Sequence, residues 1–323
     1  MRRNTGPAGW MRGALLAAAL LALPLSPAQP RAAGFDFFAI GDVPYTLPDD
    51  DIKFRGLIDV INFHRPAFTV HVGDIKGGNT PCTDEHFRMI LARFQAFRHP
   101  LIYTPGDNEW TDCHRQNNGG YVPLERLETL RRIFFADPRR SLGRAPLKLE
   151  SQAADPRHRK YVENARWALQ GVVFATLHVV GSNNDLGRDP DATAEYRDRN
   201  AAVLDWMADA FSAAKRADGK AVVFFMQADP RFERRHGDRS GFTDLLAALQ
   251  RLTLDFRRPV LLVHGDSHEF RVDKPLMNAF GQFQNFTRLE VFGAPHVHAV
   301  RVRVNPGEAD PFTFQPIMLP GGG

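Results

Sequence analysis

Apolar runs that end in an aspartate-bearing turn recur along this chain, and no other feature constrains its fold as tightly. Residues 34–40 (GFDFFAI) run into Gly41-Asp42, and residues 67–72 (AFTVHV) into Gly73-Asp74. Leu101–Tyr103 leads into Pro105-Gly106-Asp107-Asn108-Glu109, and residues 259–263 lead into His264-Gly265-Asp266-Ser267-His268. Short apolar runs bounded by Gly and Pro predict buried strands. Between them, Ile52, Leu57, Ile58 and Ile61 fall at helical spacing and predict a helix over 52–64. Asp84 opens a second helix that reaches about residue 97 and is stopped by Pro100. Strand, polar turn and helix in alternation predict an α/β fold.

The rest of the chain continues the pattern. Residues 167–180 (WALQGVVFATLHVV) predict two strands joined near Gln170-Gly171, and residues 221–226 predict a strand ending at Gln227. Helices are expected over 124–135, 192–217 and 241–256. Residues 288–292 and 298–304 alternate in the manner of antiparallel strands. Residues 111–160 are rich in Arg, Pro and Gly and read as an excursion from the core, within a single domain over 29–323.

The N-terminus has a different character. Arg2, Arg3 and Arg12 precede an apolar run over residues 13–25, followed by Ser26-Pro27-Ala28. A basic end, a short apolar segment and a small-residue cleavage site predict a secretory signal peptide over 1–28, too short to span a membrane comfortably. That segment holds three arginines and no acid, so its removal takes the formal charge from +4 to +1. The mature chain then has no polyelectrolyte footprint for nucleic acid and no membrane span. The expected location is periplasmic or extracellular. An even pair of cysteines, Cys82 and Cys113, suits a disulfide between neighbouring loops in such an oxidising compartment.

In an α/β sheet, ligands gather at the carboxyl ends of strands. Asp42, Asp74, Asp107 and Asp266 all stand there, and four carboxylates in one place repel unless a cation neutralises them. One or two divalent metal ions resolve the repulsion. The order and spacing resemble the calcineurin-like metallophosphoesterases, which carry Asp-x-His, Gly-Asp, Gly-Asn-His-Asp/Glu, a lone His and Gly-His-x-His in this sequence. Here the corresponding segments are Gly41-Asp42-Val43-Pro44, Gly73-Asp74, Gly106-Asp107-Asn108-Glu109, Gln227 and Gly265-Asp266-Ser267-His268, so the resemblance covers most of residues 35–270.

The resemblance implies a four-layer α/β/β/α sandwich of two mixed sheets with a metal site between their edges. It implies metal ligands at Asp42, Asp74, Asp107, Gln227, Asp266 and His268, and hydrolysis of a small phosphorylated substrate by a metal-bound hydroxide. Pro44, Asp107-Asn108, Gln227 and Asp266 depart from the family pattern. The second half of the ligand set is thereby all oxygen, which favours Mg, Mn or Ca over Zn or Fe. Asn108 stands where the family's leaving-group histidine would be. An amide cannot donate a proton as a general acid, so Glu109 and His264 join it as catalytic candidates.

Other residues carry two readings each. His264 either orients a carboxylate or ends a packed strand, and Asn183-Asn184 either contact phosphate or metal or form a plain turn. Lys76 and Arg271 offer phosphate a cation or are solvated charges, and Tyr45 reaches the metal cluster or packs over it. His296 and His298 share a strand face and read as structural, and His71 reads as a satisfied core histidine. Two rival functions stand beside phosphoester hydrolysis. One is a non-catalytic metal- or ligand-binding protein on the same scaffold. The other is a carbohydrate hydrolase, which requires two acids at a defined separation.

Overall fold

The computed structural model describes residues 1–6, 9, 34–234, 237 and 239–320, and the segment read as a signal peptide lies largely outside them. Two sheets form the centre. The first has five strands in the order β14-β13-β1-β2-β3, with β1 at Phe35–Ile40, β2 at Phe68–His71, β3 at Leu101–Tyr103, β13 at Ala299–Val304 and β14 at Phe312–Ile317. The second has seven strands in the order β4-β5-β6-β7-β8-β12-β9. These are β4 (Glu150–Ser151), β5 (Ala165–Leu169), β6 (Val172–Thr176), β7 (Ala221–Phe225), β8 (Val260–His264), β9 (Arg271–Asp273) and β12 (Phe286–Glu290). A small hairpin, β10 (Met277–Asn278) and β11 (Gly281–Gln282), stands apart from both.

The sheets pack face to face because each strand offers one row of large apolar side chains to the other sheet. Phe37 and Phe68 stack at 5.0 Å, and Phe37 meets Phe225 edge-on at 5.7 Å. Fully burying a side chain of this size contributes about 2–3 kcal/mol. Helices α1 (Asp49–His64), α2 (Asp84–Phe94) and α3 (Pro123–Phe134) cover the outer face of the first sheet through Phe54, Ile61, Phe87, Phe94, Leu130 and Phe134. Helices α4 (Pro190–Arg216) and α5 (Thr243–Phe256) cover the second through Val203, Met207, Phe211, Leu249 and Phe256. The result is the four-layer α/β/β/α sandwich. Residues 111–160 supply α3 to one outer layer and β4 to the edge of the second sheet.

Two elements differ from expectation. β12 runs parallel to β8 and antiparallel only to β9, because its alternation reflects a strand buried on both faces. β14 was not legible, since Pro316 argues against a central strand; it lies at the sheet edge, where a missing N–H is tolerated. Gln170 and Gly171 do join β5 to β6, both at positive φ. Among the described residues no helix is long and apolar enough to cross a membrane.

Candidate functional site

β1, β2 and β3 are mutually parallel, as are β6, β7, β8 and β12, so each group ends on a common edge. The two edges meet where the aspartate turns lie. Asp42, Asp74, Asp266 and His268 all adopt left-handed backbone, at φ 55°, 57°, 80° and 64°. The turning is thus done mainly by the aspartates, whose short polar side chains tolerate this region. The neighbouring glycines serve close approach. A Cβ on Gly106 would stand 2.0 Å from Asp74 Oδ1, and one on Gly265 would stand 2.0 Å from Asp42 Oδ2. His71, fully buried, ties the first two turns together. Its Nε2 donates to the Val43 carbonyl at 2.9 Å and its Nδ1 accepts from Gly73 N–H at 3.2 Å, while burial lowers its pKa to about 4.

The side chains divide into two halves. In the first, Asp74 Oδ2 accepts from Tyr45 O–H at 3.0 Å and from Asn108 Nδ2 at 2.8 Å, while Oδ1 accepts from Asn108 N–H at 3.2 Å. Asp42 Oδ1 accepts from Asp266 N–H at 3.1 Å, but its Oδ2 is buried and has no donor. His268 Nδ1 lies 2.7 Å from the Ala294 carbonyl, which can only accept, so the proton sits on Nδ1. Burial lowers the pKa of the ring, so its Nε2 lone pair stands 3.6 Å from Asp42 Oδ1 and 3.3 Å from the Tyr45 oxygen.

In the second half, donors from the protein already meet the oxygens. Ser182 Oγ donates to Asp107 Oδ2 at 2.6 Å, and Asp229 N–H donates to Asp266 Oδ2 at 3.1 Å. Gln227 is engaged at both ends: its Oε1 accepts from Gly181 N–H at 2.6 Å and its Nε2 donates to Asp266 Oδ1 at 3.2 Å.

The electrostatics follow from this crowding. Burial, then the Asp266 charge, raises Asp42 well above the carboxylate range; burial, then Asp107, Glu109 and Asp42, does the same to Asp74. Burial and Asp107 push Asp266 up to about 7. Burial and the Asp74 and Asp42 charges raise the Tyr45 phenol, which stays a proton donor. Lys76 is neither solvated nor turned to a ligand. It is fully buried, and its ammonium donates to the carbonyls of Asn108 at 2.7 Å and Gly77 at 3.0 Å. It moderates the charge from behind while holding the Asn108 turn.

The remaining candidates are placed as follows. Glu109 is fully buried, and its Oε1 accepts from Gly106 N–H, Tyr103 O–H and Asp74 N–H at 2.7, 2.8 and 3.1 Å, so it organises the turns from behind the cluster. His264 is fully buried on β8, with Nδ1 2.9 Å from the Gly265 carbonyl and Nε2 unpartnered. Arg271 is taken up by Glu233, Glu269 and Glu290. Asn183 and Asn184 bind backbone of residues 186, 239 and 241, and the neighbouring Ser182 is the side chain that reaches the carboxylates. His296 and His298 lie ring to ring at 5.9 Å, with His298 against Phe292. Cys82 and Cys113 form a disulfide that closes the loops after the second and third motifs.

No family model matches the sequence, and no curated protein does. Solved structures match. A dimetal phosphatase of Danio rerio superposes with TM-score 0.55 at 11% identity, over 88% of this chain and 99% of that one. The fold is that of the calcineurin-like metallophosphoesterases. Purple acid phosphatase PPD1 from yellow lupin seeds shares it with TM-score 0.51 and 11% identity, over 91% of this chain and 55% of that one, so this chain spans about half its length. GAP50 of Plasmodium, named as the anchor in the inner membrane complex, shares it with TM-score 0.50 and 10% identity, over 89% and 90% of the two chains. At such identities the likeness is one of fold.

Within this metallophosphoesterase fold the donor set fits a cation on the Asp42 side. An orphaned buried carboxylate oxygen and an imidazole lone pair facing a second carboxylate oxygen are what a positive charge between them would relieve. Yet among the described residues no three His, Cys, Asp or Glu side chains are grouped as a ready metal-binding set. Tyr45, Asn108, Ser182 and Gln227 hold carboxylate oxygens that a metal would otherwise take.

Proposed function

We propose that this protein is an exported, divalent-cation-dependent hydrolase of phosphate esters. Asp42, Asp74 and His268 would hold one cation. A second cation at Asp107, Asp266 and Gln227 would have to displace the Ser182, Asp229 and Gly181 donors that now hold their oxygens. These oxygen-rich positions favour magnesium, manganese or calcium. When bound, the cation supplies Lewis-acid activation of the phosphoryl group and of the attacking water.

The chain's own groups do the remaining work. Tyr45 O–H and the Asn108 amide are neutral donors beside Asp74, placed to hydrogen-bond phosphoryl oxygens as charge develops. Lys76 keeps the Asn108 turn in place. Neither Glu109 nor His264, both fully buried, makes a side-chain contact with Asn108 or Tyr45 that would carry a proton to a leaving group, so Asn108 is the stronger catalytic candidate. Export is supported by the Cys82–Cys113 disulfide, which suits an oxidising compartment.

The observation that carries this reading is Asp42 Oδ2, buried without a donor in a cluster where burial and neighbouring carboxylates raise Asp42, Asp74 and Asp266. The test is a hydrolysis screen of phosphomonoesters and phosphodiesters with Mg, Mn, Ca and Zn, with Asp74→Asn as control. Turnover with Mg or Mn that Asp74→Asn abolishes is expected; activity that survives the substitution excludes the site, and a tightly held zinc pair excludes the hard-metal assignment. The second reading, a non-catalytic binding protein, is favoured by the four replaced histidines, and the fold is shared by GAP50, a protein named as an anchor. Cation-dependent thermal stabilisation without turnover is the outcome that selects it.

A further inference from the structure

Ser182, Asn183, Asn184 and Asp185 follow one another at φ 49°, 59°, 55° and 60°, one full left-handed turn without a glycine. For L-residues this backbone costs about 1–2 kcal/mol each, less for Asn and Asp, and it persists only where surrounding contacts over-determine it. The turn delivers the strongest links across the second half of the cluster. Gly181 N–H meets Gln227, Ser182 Oγ meets Asp107, and a Cβ on Gly181 would stand 2.7 Å from Asp266 Oδ1 and 2.8 Å from Asp107 Oδ1. Both carboxylates therefore rest against the Cα of Gly181.

What holds the turn is Arg199, on α4, fully buried and with all five N–H donors engaged. Its Nη1 donates to Asn184 Oδ1 at 2.5 Å and the His178 carbonyl at 3.0 Å, and its Nη2 donates to the Asn184 carbonyl at 3.0 Å. Nε and Nη2 also bind Glu195. The guanidinium lies 5.4 Å over the ring of Trp110, and the backbone N–H of that residue closes the third strand-end turn on the Asp107 carbonyl at 3.2 Å. One side chain thus touches both loops that bring Asp107 and Asp266 together, without touching either carboxylate.

We propose that Arg199 is a positioning residue for the carboxylate cluster: by chelating Asn184 and stacking on Trp110 it locks the left-handed turn, and the turn sets the placement of Asp107 against Asp266. A lysine keeps the charge and reproduces neither the fork nor the stacking. As far as metal binding and turnover are concerned, the proposal rests on the function proposed above; the locking of the turn does not.

Three measurements on Arg199→Lys test it, with Asn184→Ala as the companion variant should the lysine variant fail to fold. Hydrogen exchange across residues 180–187 is expected to speed up by about tenfold or more while β6 and β7 stay protected. Mn(II) affinity, followed by electron paramagnetic resonance, is expected to fall by about tenfold. Ser182→Ala removes the donor on Asp107 Oδ2, so it is expected to shift Mn(II) affinity in the parent protein and to add nothing in the Arg199→Lys background, since the hydroxyl is already displaced. Uniform loss of protection across the chain, or a Ser182→Ala effect of equal size in both backgrounds, overturns the positioning role. A parent protein that neither binds Mn(II) nor hydrolyses phosphoesters refutes the functional reading, and exchange then decides Arg199 alone.

Discussion

Asp42 and Glu163 are both fully buried, and their carboxyl groups are driven in opposite directions. Burial raises Asp42, and the Asp266 charge raises it further. Burial pushes Glu163 upward as well, but Arg131 at 2.7 Å and His178 at 2.7 Å overcome it and hold the carboxyl well below the usual range. The Glu163 network is electrically closed: its charge has fixed counterparts. The aspartate cluster is open: Lys76 stands behind it, but with its ammonium on carbonyl oxygens. Burial is common to the two regions; what differs is whether the protein supplies the opposite charge, and a region that withholds it is poised to take a proton or a cation from outside.

The comparison is sharpest in substitutions that remove a single charge. Asp42→Asn is expected to lower turnover by about 1,000-fold, roughly 4 kcal/mol of transition-state stabilisation, in steady-state assays. The same substitution is expected to raise the melting temperature of the metal-free protein, because a buried carboxyl that folds only at the cost of taking up a proton is gone. Glu163→Gln is expected to do the reverse, lowering stability by about 3–5 kcal/mol in denaturant titrations by leaving the buried Arg131 with only the exposed Glu128 as counter-charge. If both substitutions shift stability in the same direction, pairing is not the distinction between the two regions.

A divalent cation at about a hundred times its dissociation constant is expected to stabilise the parent protein by about 2.7 kcal/mol and the Asp42→Asn variant far less, read by thermal melts with and without chelator. The smallest effect is in pH. Asp266 is raised to about 7 by burial and Asp107, so the stability linked to its protonated form is present below the ordinary aspartate range and is lost as pH rises through about 7. Glu163, depressed, has the opposite sign: its contribution is present above the ordinary glutamate range and is lost in acid. Melts of chelated protein from pH 5 to pH 8 are expected to decline, and saturating cation is expected to flatten that decline.

Much of the site was legible because its signal is local. An apolar run followed by Gly-Asp is visible in a few residues, and Asp42, Asp74, Asp107, Asp266 and His268 all come to one place through it, with Gln227 beside them. Lys76 was not legible as a buried cation, since nothing in Ile75-Lys76-Gly77 says that two carbonyls will close over it. Ser182 was passed over for Asn183 and Asn184, because the sign of four successive φ angles is not written in Gly-Ser-Asn-Asn. Arg199 carries no local signal: it lies 15 residues from Asn184 in sequence, on a helix whose charged residues, its partner Glu195 aside, otherwise face outward, and only packing turns it inward.

Taken alone, the sequence determined the α/β alternation, the strand ends that carry acid and the expectation of a cation. Those depend on residue type and short spacing, which the chain states outright. Tertiary structure decided which lone pairs remain free, which cation is buried, and which half of the cluster is already satisfied. Those depend on distances between side chains far apart in sequence, where a shift of an ångström separates a satisfied oxygen from an orphaned one.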